Sequence, residues 1–477
     1  MRLSVLAAEC FDPDPEITGI TPDSRAVREG YLFAALPGAK ADGAAFIPQA
    51  EERGAAAVLA RPGAKTRLPL VADEEPRRRL SQIAARFHPR QPDVIAGVTG
   101  TNGKTSTAVF AAVLWEKLGC RSGSLGTLGA QAQGFARALG HTTPEPVILH
   151  ETLDAMAGAG VTHLAMEVSS HALSQHRADG VRFSAAAFSN LTQDHLDFHG
   201  SLEAYFNAKL RLFVDLLPAR GTAVVNMDGA RAEEVAAAVE GRGVKLLTTG
   251  RRGRALRILK VVPTPAGIDL DLEAGGKIRP LSLPLIGAFQ AENACLAAGL
   301  VIASGFSADK ALPLLDALPG VPGRMQHAAT VRGAGVYVDY AHTPDAVATA
   351  LAAIRPHARG RVVALIGAGG DRDRSKRPLM GKAAAAGADI VIVTDDNPRT
   401  EDPAAIRRDM LAGCPGAREI GDRGEAIAAG VALLRPGDVF VICGKGHETG
   451  QTVGAVTHPF DDALEARRAA ATQGGPR

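Results

Sequence analysis

The sequence predicts an α/β protein of three domains, and three observations predict it. Short apolar runs such as Val94-Ile-Ala-Gly-Val98 and Asp389-Ile-Val-Ile-Val-Thr394 stop abruptly at glycine or polar residues, as buried parallel strands do. Alanine-rich, helix-favouring stretches lie between such runs. Two proline-containing breaks, Phe87-His-Pro-Arg-Gln-Pro-Asp93 and Leu318-Pro-Gly-Val-Pro-Gly323, divide the 477 residues into segments of ordinary domain size. The expected domains are therefore 1–88, 89–323 and 324–477.

In the first segment, Asp23-Ser-Arg precedes the apolar run Tyr31-Leu-Phe-Ala-Ala and an alanine-rich helical stretch. In the second, strands are expected at Val94–Val98, His163–Val168, Ala185–Asn190 and Ala223–Asn226, with helices between them, giving a mostly parallel sheet. In the third, strands are expected at Arg361–Ile366, Asp389–Thr394 and Asp438–Cys443, each followed by polar residues and glycine or proline. Ligands of open α/β sheets gather beyond the carboxyl ends of the strands, so these three loops form one candidate site.

Bulk composition narrows the function classes. Hydrophobic residues make up 46% and charged residues 22%, and the net charge is +2, so no general nucleic-acid or acidic-membrane surface is expected. The five cysteines lie far apart without C-x-x-C spacing, which predicts reduced, buried thiols. The start, Met1 to Cys10, has too short an apolar run for a secretion signal, and Glu9 stands where a small residue is needed. No stretch reaches the ~20 apolar residues that span a bilayer. A cytoplasmic protein without membrane insertion is expected.

Chemistry first becomes visible in Gly97-Val-Thr-Gly-Thr-Asn-Gly-Lys-Thr-Ser106, placed between a strand and a helix. Glycines let backbone N–H groups converge on phosphate oxygens, and the helix start adds partial positive charge. Lys104 can reach the β- and γ-phosphates of ATP, and Thr105 can offer its hydroxyl to Mg²⁺. The spacing is G-T-N-G-K-T, with Val98 where the commoner pattern has glycine. This loop predicts ATP but leaves open whether the phosphoryl group activates a carboxylate, is handed on by a kinase, or is spent by a P-loop ATPase. A nicotinamide site at Gly367-Ala-Gly-Gly370 is disfavoured because the third glycine is missing from its offset.

Further segments follow in order: Gly140-His-Thr-Thr-Pro-Glu145, Glu167-Val-Ser-Ser-His-Ala-Leu173, Asn190-Leu-Thr-Gln-Asp-His-Leu-Asp-Phe-His-Gly200, Tyr205-Phe-Asn-Ala-Lys209 and Asp339-Tyr-Ala-His-Thr-Pro344. Phosphoryl transfer to a carboxylate brings two anions together, so metal and cationic groups must neutralise them in line. With these motifs, the chain resembles the Mur ligases along nearly its whole length. That resemblance implies a UDP-binding N-terminal α/β domain, a central P-loop ATPase-like parallel-sheet domain and a C-terminal Rossmann-like domain. It implies an ADP-forming acid–amino-acid ligase acting through an acyl phosphate on UDP-N-acetylmuramoyl-L-alanyl-D-glutamate, in peptidoglycan precursor synthesis. A monomer is expected, and closure between the domains carrying ATP and amino acid.

The resemblance also implies residue roles. Gly100, Thr101, Asn102, Gly103, Lys104, Thr105 and Ser106 would hold ATP phosphates, with Asn293, Arg324 and Asp339 on the rest of the nucleotide. Thr105 and Glu167 would hold Mg²⁺, and His195 a second one near the substrate carboxylate. Lys209 matches a lysine that becomes carbamylated, which requires a neutral amine and hence a pKa well below ~10.4. Thr142, Thr143, Ser169, Gln175 and Arg177 would bind the muramoyl dipeptide, and Ser24 its UDP end. One departure is Ala44, where the family pattern has histidine.

The incoming amino acid is legible in the third segment. Asp396-Asn397-Pro398-Arg399 resembles the motif of Mur ligases that add meso-diaminopimelate, which carries a carboxylate that lysine lacks. Arg399 can grip that carboxylate through two parallel N–H bonds, and proline and asparagine fix the turn that aims it. Arg372 and Gly444 match further positions for the amino acid, and Glu448 can pair with its ammonium. L-Lysine remains the alternative substrate.

Overall fold

The computed structural model describes residues 1–38 and 42–473. The chain divides into two compact units, Met1–Ala255 with Cys295–Ala311, and Leu256–Ala294 with Leu312–Arg477.

The first unit contains two sheets. The smaller is fully parallel, in the order Gly19–Thr21, Tyr31–Ala34, Ala57–Ala60, Leu70–Ala72. Its apolar face buries Leu32, Leu59 and Val71 against Leu80 and Ile83 of the helix Pro76–Phe87, and Leu3 and Leu6 of the opening helix Leu3–Ala7 join that core. The larger sheet has six parallel strands in the order Lys245–Gly250, Thr222–Asn226, Ala185–Phe188, Val94–Thr99, His163–Glu167, Ser122–Gly126. Register aligns Val98 with Glu167 and Thr99 with Phe188, so three strands end side by side beneath the phosphate loop. These central strands are buried on both faces, which is why they read as continuous apolar runs.

An antiparallel pair, Gly129–Ala132 and Phe135–Arg137, extends this sheet beyond the expected parallel set. The sequence reading missed it because its small and polar residues carry no apolar run. The segment Phe87–Asp93, expected as a bare linker, is docked: Arg90 pairs with Asp154 at 2.7 Å, and the Gln91 side chain donates to the Gly180 carbonyl at 2.9 Å.

The second unit holds a six-stranded sheet in the order Gln326–Val331, Ala334–Asp339, Val439–Cys443, Val362–Ile366, Ile390–Val393, Arg418–Glu419, parallel except for the first pair. Three of these match the expected strands, while Ala334–Asp339 inserts beside Val439–Cys443 and carries Asp339 to the same edge. An antiparallel meander, Leu256–Thr264, Gly267–Ala274 and Lys277–Leu283, was not anticipated. Its alternation of buried Leu256 and Ile258 with exposed Arg257 and Leu259 is a half-buried strand, but interspersed charges hide the period. A hairpin, Gly450–Val453 with Val456–Pro459, was also missed.

Thiol burial holds for Cys295, Cys414 and Cys443, whereas Cys10 is exposed and Cys120 half-buried; none of the five is in a disulfide. Among the described residues no helix is long and apolar enough to cross a membrane.

At the carboxyl end of Val439–Cys443, in the second unit, lies a fully buried ion pair. Arg423 donates through Nε and Nη2 to the two carboxylate oxygens of Asp462, both at 2.7 Å, and again to the Cys443 carbonyl at 2.9 Å. Removing one partner would leave an uncompensated charge in the interior. Asp462→Ala is expected to destabilise the fold by about 3–5 kcal/mol, seen as a large drop in thermal midpoint; an unchanged midpoint would contradict that role.

Candidate active site

The phosphate loop leaves the strand Val94–Thr99 and enters the helix Lys104–Lys117, whose N-cap Gly103 has φ +85°. Gly100 has φ +144°, and a Cβ there would collide with Ser189 Oγ, so only glycine fits. The loop is stitched to Asn190-Leu-Thr192, which explains that motif physically. Asn190 Oδ1 accepts from Asn102 N at 3.0 Å, and its carbonyl accepts from Thr101 N at 2.9 Å. Thr192 N donates to Thr101 Oγ1 at 2.9 Å, and Ser189 Oγ donates to the Asn102 carbonyl at 2.6 Å. Lys104 Nζ donates to the Gly100 and Thr101 carbonyls at 3.0 and 2.8 Å.

Glu167, at the end of its strand, is buried beside this loop. Thr105 Oγ1 donates to its Oε2 at 3.0 Å, and Thr127 N donates to its Oε1 at 2.8 Å. Thr127 was not anticipated; it follows Gly126, where any side chain would strike the Glu167 carboxylate.

Lys209 lies on the helix Leu202–Arg211, with only 1% of it exposed. Its Nζ donates to the same Gly100 carbonyl at 2.8 Å and stands 4.3 Å from the centre of the Tyr205 ring. Burial first, and the Lys104 ammonium second, push this amine well below the ordinary lysine range. A solvated surface lysine is thereby excluded.

His195 is arranged differently. It is exposed, with φ +52°, its Nε2 lies 3.4 Å from Asp194 Oδ2, and its ring sits 4.7 Å from that of His171. Among the described residues no set of three or more His, Cys, Asp and Glu side chains is arranged to hold a metal ion. Mg²⁺ keeps several waters and binds through one or two carboxylates plus phosphate oxygens. A hydroxyl and a carboxylate 3.0 Å apart at a phosphate loop fit such an ion.

The residues expected to meet the dipeptide form a connected layer around Glu167. Thr143 Oγ1 donates to the Glu167 carbonyl at 2.9 Å and accepts from Ser169 N at 3.1 Å. Thr142 Oγ1 lies 3.1 Å from Thr127 Oγ1. Arg177, 8% exposed, donates to the Thr143 carbonyl at 2.8 Å and to Gln175 Oε1 at 2.7 Å, and pairs with Glu145 at 2.7 Å. Farther along the unit, buried Ser24 donates to Gln49 Oε1 at 2.6 Å. At the departure, the Ala44 backbone N–H is capped by Asp42 Oδ1 at 3.0 Å.

In the second unit, Asn293 Nδ2 donates to Gln290 Oε1 at 2.9 Å, and Arg324 stacks 5.2 Å over Tyr340. A cavity of about 370 Å³ opens among Leu285, Ile286, Gln290, Arg324 and Met325. Asp339 accepts from Met325 N at 2.8 Å and from Ala341 N at 2.9 Å, and burial raises its pKa.

The Asp396–Arg399 turn lies at the end of Ile390–Val393 and is almost wholly buried up to Arg399, which has φ +52°. Arg399 Nη1 donates to the Gly370 carbonyl at 2.7 Å, and Gly370 N donates to the Asn397 carbonyl at 2.9 Å, so the two loops lock together. The unanticipated hairpin pins the turn from its other side: Arg399 N donates to the Thr452 carbonyl at 3.1 Å, and Gly454 N to the Arg399 carbonyl at 2.7 Å. Glu448 joins this cluster, accepting on Oε2 from Asn397 Nδ2 at 2.9 Å. Gly444, with φ +117°, leaves room for Asp396, whose Oδ2 would lie 2.6 Å from a Cβ there. Arg372 stands exposed on the loop that carries Gly370.

A phosphate loop that brings a buried acid and a buried amine together is the apparatus of an ATP-using enzyme. Family models match three successive stretches: the Mur ligase family catalytic domain over residues 16–88, the Mur ligase middle domain over 98–301, and the Mur ligase glutamate ligase domain over 323–446. The chain belongs to the Mur ligase family and has its three-domain α/β architecture. It is 52% identical to the UDP-N-acetylmuramoyl-L-alanyl-D-glutamate–2,6-diaminopimelate ligase of Caulobacter vibrioides over 98% of both chains. It is 48% identical to the ligase of the same name from Bradyrhizobium diazoefficiens, over 94% of this chain and 93% of that one. A solved structure of a ligase of that name superposes with a TM-score of 0.76 at 34% identity, covering 100% of both chains.

Proposed function

We propose that this chain is an ATP-dependent ligase joining meso-diaminopimelate to UDP-N-acetylmuramoyl-L-alanyl-D-glutamate in peptidoglycan precursor synthesis. The observation that carries the reaction class is the convergence of Lys104, Lys209 and the Glu167–Thr105 pair on one phosphate loop. The relatives' shared name supports the substrates.

In this reading residues 1–88 serve the UDP end, 89–323 bind ATP and 324–477 bind the amino acid. The γ-phosphoryl group of ATP passes to the free side-chain carboxylate of D-glutamate, giving ADP and an acyl phosphate. The amine of diaminopimelate attacks the acyl carbon and loses a proton as the bond to phosphate breaks. Mg²⁺ would neutralise the phosphate oxygens during the first step, held by Thr105 and Glu167, with His195 near a second ion. Lys104 orients the phosphates, Gly100 to Ser106 cradle them, and Asn293, Arg324 and Asp339 hold the remainder of the nucleotide. Thr142, Thr143, Ser169, Gln175 and Arg177 position the dipeptide, and Ser24 its UDP end.

Lys209 acts as a carbamate in this scheme. A neutral amine adds to CO₂ and releases a proton, converting a would-be cation into an anion beside the metal. The depressed pKa of this buried amine is the condition for that step.

Arg399 grips the distal carboxylate of diaminopimelate while Glu448 takes an ammonium, with Arg372, Asp396, Asn397, Pro398 and Gly444 shaping the pocket. Arg399→Ala is expected to raise the KM for diaminopimelate roughly 100-fold, the loss of strong hydrogen bonds to a charged group. The KM for ATP should stay within about twofold; an unchanged diaminopimelate KM would remove Arg399 from recognition.

Mass spectrometry of the product tests the class. A UDP-linked tripeptide formed with stoichiometric ADP and phosphate is expected. A phosphorylated dipeptide as the end product would place the chain among kinases instead.

A further inference from the structure

Lys445 lies between two residues already placed in the amino-acid pocket, Gly444 and Glu448, and nothing in its sequence neighbourhood marks it out. Its side chain is 0% exposed. A buried ammonium must be paired, so its partners show what its charge is for. Nζ donates to Asn397 Oδ1 at 2.9 Å and lies 3.3 Å from Glu448 Oε2. Asn397 in turn donates through Nδ2 to that same Glu448 oxygen at 2.9 Å, and its Oδ1 also accepts from Thr452 N at 2.9 Å. Thr452 belongs to the hairpin that receives the Arg399 backbone N–H. One ammonium therefore ties together the carboxylate offered to a substrate cation, the turn that presents Arg399, and the hairpin bracing that turn.

We infer that Lys445 is a positioning residue that sets amino-acid specificity by fixing the separation between Glu448 and Arg399, an inference that rests on the diaminopimelate reading above. A substrate with an ammonium and a carboxylate on one carbon needs its anion and cation acceptors at a fixed spacing. A substrate with the ammonium alone needs only Glu448. Loosening the tie therefore penalises the first more than the second. The bonds from Asn397 and Lys445 to Glu448 both fall on Oε2, so they orient that carboxylate without engaging Oε1.

Lys445→Met keeps the length and burial of the side chain and removes its charge. The KM for diaminopimelate is expected to rise roughly 30-fold or more, the range for truncating one partner of a buried hydrogen-bonded charge pair. The KM values for ATP and the dipeptide should stay within about twofold, and the preference for diaminopimelate over L-lysine should shrink about tenfold. A merely structural lysine would lower the active fraction for every substrate alike and leave that ratio untouched, which would overturn the inference. Should Lys445→Met fold poorly, Lys445→Gln, which keeps a buried donor but removes the charge, carries the specificity test, and Glu448→Gln with Glu448→Gln/Lys445→Gln carries the coupling test. Because Lys445 acts through Glu448 and Asn397, the double variant should be little worse for diaminopimelate than the single one; full additivity would refute the coupling. Wild-type enzyme is run alongside. Its failure to use diaminopimelate would sink the underlying reading and this inference together, whereas an active wild type with an unchanged ratio in Lys445→Met sinks the inference alone.

Discussion

Replacing Lys104 with alanine is expected to lower kcat/KM roughly 10³-fold or more, since an oriented cation at transferring phosphate oxygens stabilises charge that develops in the transition state. The fold should survive the change. Lys104 sits at the start of its helix and donates to the Gly100 and Thr101 carbonyls, both in the loop itself. A circular dichroism spectrum and thermal midpoint close to wild type, combined with lost turnover, is the predicted pair of results. Retained turnover in a folded variant would remove the phosphate-loop assignment.

Lys209→Ala is expected to cost about as much, roughly 10³-fold, for a different reason. Here the group removed is, in the proposed scheme, a carbamate anion that would face Mg²⁺ rather than a cation on phosphate. Short carboxylates added to the variant should restore part of the activity by occupying the vacated space, and they should do nothing for Lys104→Ala. Depleting CO₂ should lower wild-type activity and leave the variant unaffected. Full activity in Lys209→Ala would exclude the residue from the mechanism. A pH dependence also follows for the unmodified amine. Its folded pKa lies below the unfolded value of ~10.4, so the unfolded chain binds more protons between the two. Stability therefore rises with pH across that window and falls as pH drops through it. Lys209→Met should flatten the slope, measured as thermal midpoint against pH in CO₂-free buffer.

How far the site was legible in the sequence depended on how local each constraint is. Gly100 and Gly103 announce the phosphate loop because their positive φ values are imposed by the next few residues and by one neighbouring side chain, Ser189. The strands that end at Thr99, Glu167 and Val393 are buried on both faces, so their apolar runs stand out unaided. Glu167 and Lys209 were reached only through resemblance. Nothing within ten residues of Lys209 distinguishes it from a solvated helical lysine, and its burial comes from the Gly100 loop more than a hundred residues away. Lys445 escaped notice for the same reason. The meander from Leu256 to Leu283 was lost because charges such as Lys260, Asp269 and Asp271 interrupt an alternation that becomes plain only once the buried face is known. The hairpin at Gly450–Pro459 has no buried residue, so it has no apolar pattern, yet it braces Arg399.

His195 stands apart from the Glu167 cluster. Its ring packs with His171 and Tyr205 rather than with Glu167, and about half of its side chain is exposed. Arg399 is the opposite case, held by three backbone or side-chain bonds before any substrate arrives. Preorganisation of that kind is what allows a buried polar site to reject an analogue lacking the matching group by roughly 10⁴-fold.

The most direct test is phosphate release from ATP and UDP-N-acetylmuramoyl-L-alanyl-D-glutamate, with meso-diaminopimelate and L-lysine supplied in parallel reactions. Release that requires the dipeptide and diaminopimelate together, and is far slower with lysine, is the predicted result. Equal release with lysine would contradict the role given to Arg399, and release needing neither the dipeptide nor an amino acid would contradict the ligase itself.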